Sequence, residues 1–336
     1  MFASRPLVAV VVLVAGMVTG CTSSGRALTA HPEPTSVMSH PATTATTTRE
    51  PPSLPETNTS ITLPDRAPWL VARAEVTYTD PTRATPARGS QPMHAGRVLR
   101  TTLLWPTTRR GLLAPGRHPL IVFAHGYATS AATYAALLDD LAAAGFLVGA
   151  PELPGESSTL PGPPVEADLV NEPCDLEFVA ASIERNAPHA IAAAVAGTPV
   201  VFAGHSDGAT AAAAAAYTSQ CAGPPARAVV ALSSDDVAMS GAYRFGAPPP
   251  LLAATGTADE INPVAHTLAL WKHVPAPAWL LTIDGGSHLA TFTTDPDRNL
   301  VDAVIVDFVL AEVEHDPTAA ARLASASGGR LQIRRR

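Results

Sequence analysis

The chain has 336 residues, 46% of them hydrophobic and 15% charged, which is enough apolar material to bury a substantial core. Its 29 acidic and 22 basic residues give a formal net charge of -7, so no basic surface is on offer to nucleic acid or to anionic headgroups. No internal repeat is visible, and a single α/β domain is expected once the N-terminal segments are set aside.

Residues 1–21 read as a secretory signal. Arg5 supplies the positive start, and residues 7–18 are apolar but too short to span a bilayer as a mature helix. Val18, Thr19, Gly20 and Cys21 resemble the lipobox of bacterial lipoproteins. That resemblance implies lipidation at Cys21, an anchor in the bacterial cell membrane and an extracytoplasmic location. An ordinary signal with an incidental cysteine is the alternative. Residues 22–64 are rich in Pro, Thr and Ser with no apolar period, so a disordered linker kept extended by its prolines is expected.

Residues 69–79 and 97–105 predict an opening antiparallel pair, and residues 119–124 a nearly all-apolar strand that runs into His125, Gly126 and Tyr127. A helix over 130–144, a strand over 146–150, a Pro/Gly-rich loop to residue 164 and a helix over 166–186 follow. Glu152 and Asp175 read as solvated or capping carboxylates, His125 and His205 as packed structural histidines, and His189, His266 and His273 as surface residues. Cys174 and Cys221 are the cysteines of the mature domain, and outside the cytoplasm they are expected to pair. Closing a loop of roughly fifty residues stabilises by about 3–4 kcal/mol.

The next strand, over 198–203, leads into Gly204-His205-Ser206-Asp207-Gly208 and then into an alanine-rich helix to residue 217. G-x-S-x-G at a strand-to-helix turn is the setting of a nucleophile elbow, where strained backbone presents the serine Oγ over a helix N-terminus. The bland alternative is a turn of small residues. A serine hydroxyl needs a base. Downstream, a strand over 249–255 leads to Asp259, and a strand over 279–283 leads to His288, both at the strand ends where Ser206 also sits. Asp235, after a strand over 227–232, is a second candidate for the acid. A helix over 262–273 and a closing helix over 297–314 complete the domain, with Val301, Val304, Ile305, Phe308 and Val309 as a core stripe. A disordered basic tail is expected over 317–336.

On these motifs, residues 65–316 resemble the α/β-hydrolase superfamily. The runs ending at Asp259 (Thr255-Gly256-Thr257-Ala258) and at His288 (Asp284-Gly285-Gly286-Ser287) look like the branch of cutinase-like esterases, platelet-activating-factor acetylhydrolases and chlorophyllase-type hydrolases. The resemblance implies the α/β-hydrolase fold, with a mostly parallel central sheet, helices on both faces and no large cap domain. It implies Ser206 as nucleophile, His288 as general base and acid, Asp259 as the orienting carboxylate, and the backbone N–H groups of Tyr127 and Asp207 as the oxyanion hole. The activity implied is hydrolysis of carboxylic esters with no cofactor. The segment over 233–248 is too short for a helical cap, so an open cleft suited to short-chain or surface-presented esters is expected; no His or carboxylate spacing suits a metal site, and a monomer is expected. Two positions depart from the pattern. Ser233, Ser234 and Asp235 stand where polyester-degrading relatives carry a tryptophan, which argues against polyesters. Asp207 replaces the usual apolar residue after the nucleophile, and its charge opposes the oxyanion unless it is turned away or paired. Acyl transfer to a cell-envelope acceptor, and a surface lipoprotein that uses the fold only for binding, remain as alternatives.

Overall fold

The computed structural model describes residues 69–218, 221, 223–235, 243–275 and 277–336. The signal, the lipidation at Cys21 and the linker expected over 1–64 lie outside the described residues.

The chain opens with β1 (Leu70–Asp80) and β2 (Arg97–Thr107), paired antiparallel as expected. There follow β3 (Leu120–Ala124), α1 (Ala135–Ala143), β4 (Leu147–Pro151), α2 (Glu172–Asn186), α3 (His189–Val195), β5 (Val200–His205) and α4 (Asp207–Tyr217). The second half runs β6 (Ala226–Leu232), β7 (Leu251–Gly256), α5 (Val264–His273), β8 (Ala278–Ile283), α6 (Ala290–Thr293), α7 (Asp297–Glu312), α8 (Pro317–Ala324) and β9 (Leu331–Arg335). Residues 131–134 and 166–171 wind as 3-10 turns ahead of α1 and α2. The short α3 is not signalled in the sequence.

One sheet carries the strands in the order β1-β2-β4-β3-β5-β6-β7-β8-β9. Strands β3 to β8 run parallel, and antiparallel pairing is confined to β1 with β2, β2 with β4, and β8 with β9. The central strands are nearly continuous apolar runs, broken by His205, Arg227, Thr255 and Thr282, because both faces are covered. Their side chains alternate: Ile121 and Phe123 enter the core under α1, α7 and α8, while Leu120 and Val122 enter the core under α2, α3 and α4. Only residues 233–250 separate β6 from β7.

Two expectations need correction. The tail over 317–336 is not disordered: Asp316 caps α8 by accepting from Thr318 and Ala319 N–H, and β9 pairs with β8 over its whole length. Leu323 and Leu331 are buried, and the Arg335 guanidinium lies 5.0 Å from the centre of the Trp279 ring. The partner strand supplies the order that the Gly/Ala/Arg composition conceals, and the domain extends through the tail. Asp175 is neither solvated nor a cap. It is fully buried in α2 and takes a two-pronged ion pair, 2.6 Å at each contact, from the equally buried Arg97. Glu152 does cap, accepting from Ala131 N–H at 3.3 Å. Cys174 and Cys221 form the expected disulfide, tying α2 to the chain that leaves α4.

Candidate active site

β5 ends against Ser206, whose φ of 58° and ψ of −123° are strained for a residue with a side chain. The turn is tight enough to require both flanking glycines. A Cβ on Gly204 would lie 2.2 Å from the Gly208 carbonyl oxygen, and one on Gly208 would lie 2.3 Å from that of Ala124. Ser206 N–H donates to Leu232 O at 2.9 Å, and Ser206 O accepts from Ala209 and Thr210, so the elbow is held on both sides of the strain.

His205 ties this elbow to its neighbours. Its Nε2 lies 2.9 Å from the carbonyl oxygen of His288, which can only accept, so Nε2 carries the proton and Nδ1 accepts from the Tyr134 hydroxyl at 2.8 Å. Burial, reinforced by the charge of neighbouring His288, pushes the His205 pKa down to about 3, so the ring is a neutral strut. His125 is fixed by the same logic. Its Nε2 accepts from Leu153 N–H at 3.0 Å, leaving Nδ1–H to donate to Gly126 O at 2.9 Å. Both are the packed structural histidines expected.

The loops after β7 and β8 lie side by side, joined by Ala258 N–H to Gly286 O at 2.9 Å. They bring Asp259 and His288 together, with His288 Nδ1 3.0 Å from each Asp259 carboxylate oxygen. Ile261 and Asn262 N–H also donate to Asp259, at 3.0 and 2.8 Å. Burial pushes the Asp259 carboxyl up, but the hydrogen bonds from His288 and the two backbone groups outweigh it and hold it below the ordinary carboxylate range. With Nδ1–H given to the carboxylate, Nε2 is the basic nitrogen of His288. The backbone N–H of His288 donates to Glu260 at 3.1 Å, which fixes the loop.

Asn262 carries the Asp259 loop to the elbow, its Nδ2 donating to Ser233 O at 2.8 Å and lying 3.5 Å from Ser206 Oγ. The loop after β3 packs on the other side of the serine, where a Cβ on Gly126 would come 3.0 Å from Ser206 Cβ. Tyr127 and Asp207, the expected oxyanion donors, therefore sit on the two backbone segments that meet at Ser206. Tyr127 is exposed over this edge, as is Ile261. The second candidate acid is engaged elsewhere: Asp235 Oδ1 lies 2.8 Å from Nδ1 of His266, which is only partly exposed. His189 and His273 are exposed, as read from the sequence.

Four buried residues around this rim were not anticipated: Asn262, Tyr134, Glu156 and Glu172. Only Asn262 has a sequence signal, three places after Asp259 in the same loop. Asp207 is buried as well. Burial, with repulsion from Glu166 and Asp235, pushes its carboxyl up to about 6, and Glu156 is a near neighbour. Among the described residues no group of three or more His, Cys, Asp and Glu is disposed to hold a metal ion.

Residues 121–335 match the sequence model of a family described as alpha/beta hydrolase family. The match takes in Ser206, Asp259 and His288 and extends through α8 and β9. No curated protein matches the chain.

Proposed function

We propose that this chain, which belongs to the alpha/beta hydrolase family, cleaves carboxylic esters through an acyl-enzyme formed on Ser206. Family membership supports a hydrolase of some kind. The ester reading is carried by one observation: a buried carboxylate orients His288 through Nδ1 on the same strand edge that presents a strained serine. Ser206 Oγ attacks the ester carbonyl while its proton passes to His288 Nε2. The tetrahedral intermediate collapses, the C–O bond to the alcohol breaks, and the leaving alkoxide takes that proton back. Water then repeats the sequence on the acyl-enzyme, releasing the acid and restoring Ser206. Backbone N–H groups of Tyr127 and Asp207 are the proposed donors to the carbonyl oxygen, each contributing on the order of 3–4 kcal/mol in the transition state. The short 233–250 connection and the exposed Tyr127 and Ile261 support an open, partly apolar cleft suited to short-chain or surface-presented esters.

A fluorophosphonate probe tests the reading. Wild type is expected to label and Ser206→Ala not to label, whereas an unlabelled wild type at neutral pH would sink it. We infer further that Cys21 is lipidated and holds the domain outside the cytoplasm. The disulfide between Cys174 and Cys221 supports an oxidising compartment, and metabolic labelling with a radioactive fatty acid should mark wild type but not Cys21→Ser.

A further inference from the structure

Glu156, on the loop after β4, and Glu172, at the first position of α2, are completely buried. Neither belongs to the Ser206, Asp259 and His288 constellation. No N–H, hydroxyl or guanidinium donor among the described residues reaches any of their four carboxyl oxygens. The nearby guanidiniums are committed elsewhere. Arg97 holds Asp168 and Asp175, and Arg88 donates to the carbonyls of Pro154, Ser157, Gly162 and Pro163. An ionised carboxylate stripped of water and donors is several kcal/mol out of balance, so such a group keeps its proton. Carboxyl groups that keep their protons can satisfy one another, and Glu156 stands within electrostatic reach of both Glu172 and Asp207. This row of three ends on Asp207, the residue that follows Ser206.

Glu156 grips the opposite segment too. Its backbone oxygen accepts from Ala128 N–H at 3.1 Å, and Ser158 N–H donates to Thr129 O at 2.7 Å. Ala128 directly follows Tyr127 and has a φ of 53°, a left-handed conformation that an alanine holds only when its surroundings impose it. One residue thus braces both pieces of backbone that converge on Ser206.

We propose that Glu156 is a positioning residue for the reaction, its protonated carboxyl binding the Asp207 carboxylate so that this charge does not oppose the oxyanion, while its backbone holds the Tyr127 loop. The proposal rests on the ester-hydrolase reading above. Glu156 is faced by Asp207 on α4, Asp168 from the 166–171 turn and Glu172 on α2. Asp207 is faced further by Glu166, Asp235 and His288, and Glu172 by Asp175, Asp168 and Arg97. Burial first, then the charges of Asp207 and Asp168, pushes Glu156 up to about 9, against about 6 for Asp207. Between those values Asp207 is ionised and Glu156 is not. As pH rises through the upper one, a second negative charge appears beside the oxyanion and turnover falls.

The test compares wild type, Glu156→Gln and Glu156→Ala in ester turnover and fluorophosphonate labelling across pH. Glutamine keeps a donor for Asp207 and an acceptor for Glu172 but cannot ionise. Wild type should lose at least about fivefold in kcat between roughly pH 8 and pH 10, and Glu156→Gln should keep activity within about threefold of wild type with that alkaline limb gone. Glu156→Ala should lose about tenfold or more in kcat with KM within about threefold. An alkaline limb shared by wild type and Glu156→Gln overturns the proposal, as does a Glu156→Ala enzyme that turns over like wild type. If circular dichroism shows Glu156→Ala unfolded, the pH profiles of the other two decide alone. A wild type that does not label overturns the hydrolase reading and this proposal together. One that labels at Ser206 with a pH profile identical to that of Glu156→Gln overturns this proposal only.

Discussion

Two aspartate and histidine pairs stand at the C-terminal rim of the sheet, and they differ in what surrounds them. Asp259 has a side chain with no exposure and takes two backbone N–H bonds besides its contact with His288. Asp235 and His266, 2.8 Å apart, have side chains 28% and 30% exposed. The first pair is locked: the carboxylate is pinned by its own loop, and the imidazole loop is held by Glu260 and by the neutral His205. The second is an exchange-prone contact in high dielectric, of the sort worth 0–1 kcal/mol. Distance alone ranks Asp235 with His266 as the closer pair. Pre-organisation ranks it second, and pre-organisation is what orients a base.

The sharpest break between the pairs is in the histidines. His288→Ala should lower kcat by about 10⁴- to 10⁶-fold, because a group that both takes and returns the proton disappears. His266→Ala should stay within about threefold. Ester turnover with active-site titration checks both, and an inactive His266→Ala beside an active His288→Ala would invert the assignment.

Asp259→Asn follows with a loss of about 10³- to 10⁴-fold, since the amide favours the wrong imidazole tautomer while preserving shape. This substitution has a second readout in stability. The Asp259 carboxyl is held below its ordinary value, so its stabilisation is present above the unfolded carboxylate range, near pH 4, and is lost as pH falls through the lowered folded value. Thermal unfolding of wild type should therefore show a fall in Tm on acidification that is smaller in Asp259→Asn. Equal acid sensitivity would mean that the carboxylate is not specially stabilised in the folded state.

This contrast explains which parts of the molecule were legible in the sequence. The elbow was readable because strand, glycine, serine, glycine and helix are consecutive, and the steric need for Gly204 and Gly208 is local. Asp259 and His288 were readable as positions after strands, but Asp235 satisfied the same rule. What separates the two is set by how the chain folds: Asp259 is buried, takes backbone donors and meets His288, while Asp235 is partly exposed and meets His266. The tail was misread because Leu331 and Ile333 acquire meaning only beside β8. The row from Glu172 through Glu156 to Asp207 was hidden for a related reason. Its members come from the start of α2, the loop after β4 and the start of α4, and nothing in their spacing announces that they meet.

The smallest effect is the one that isolates the comparison. Asp235→Asn removes a carboxylate from the same rim, about as far along the chain after its strand as Asp259 is after its own. It leaves the hydrogen bond that His266 can make to a side-chain oxygen. Its charge is partly exposed and screened, and kcat/KM should change by less than about threefold. The change that does occur has a defined direction. Asp235 is one of the charges that push the Asp207 carboxyl up, after burial and Glu166, so its removal should let Asp207 ionise at lower pH. A carboxyl titration followed by NMR on Asp207 should register that downward shift while activity at neutral pH barely moves. If Asp235→Asn instead costs a hundredfold or more, Asp235 rather than Asp259 is the acid that serves the catalytic histidine in solution, and the ranking by pre-organisation fails.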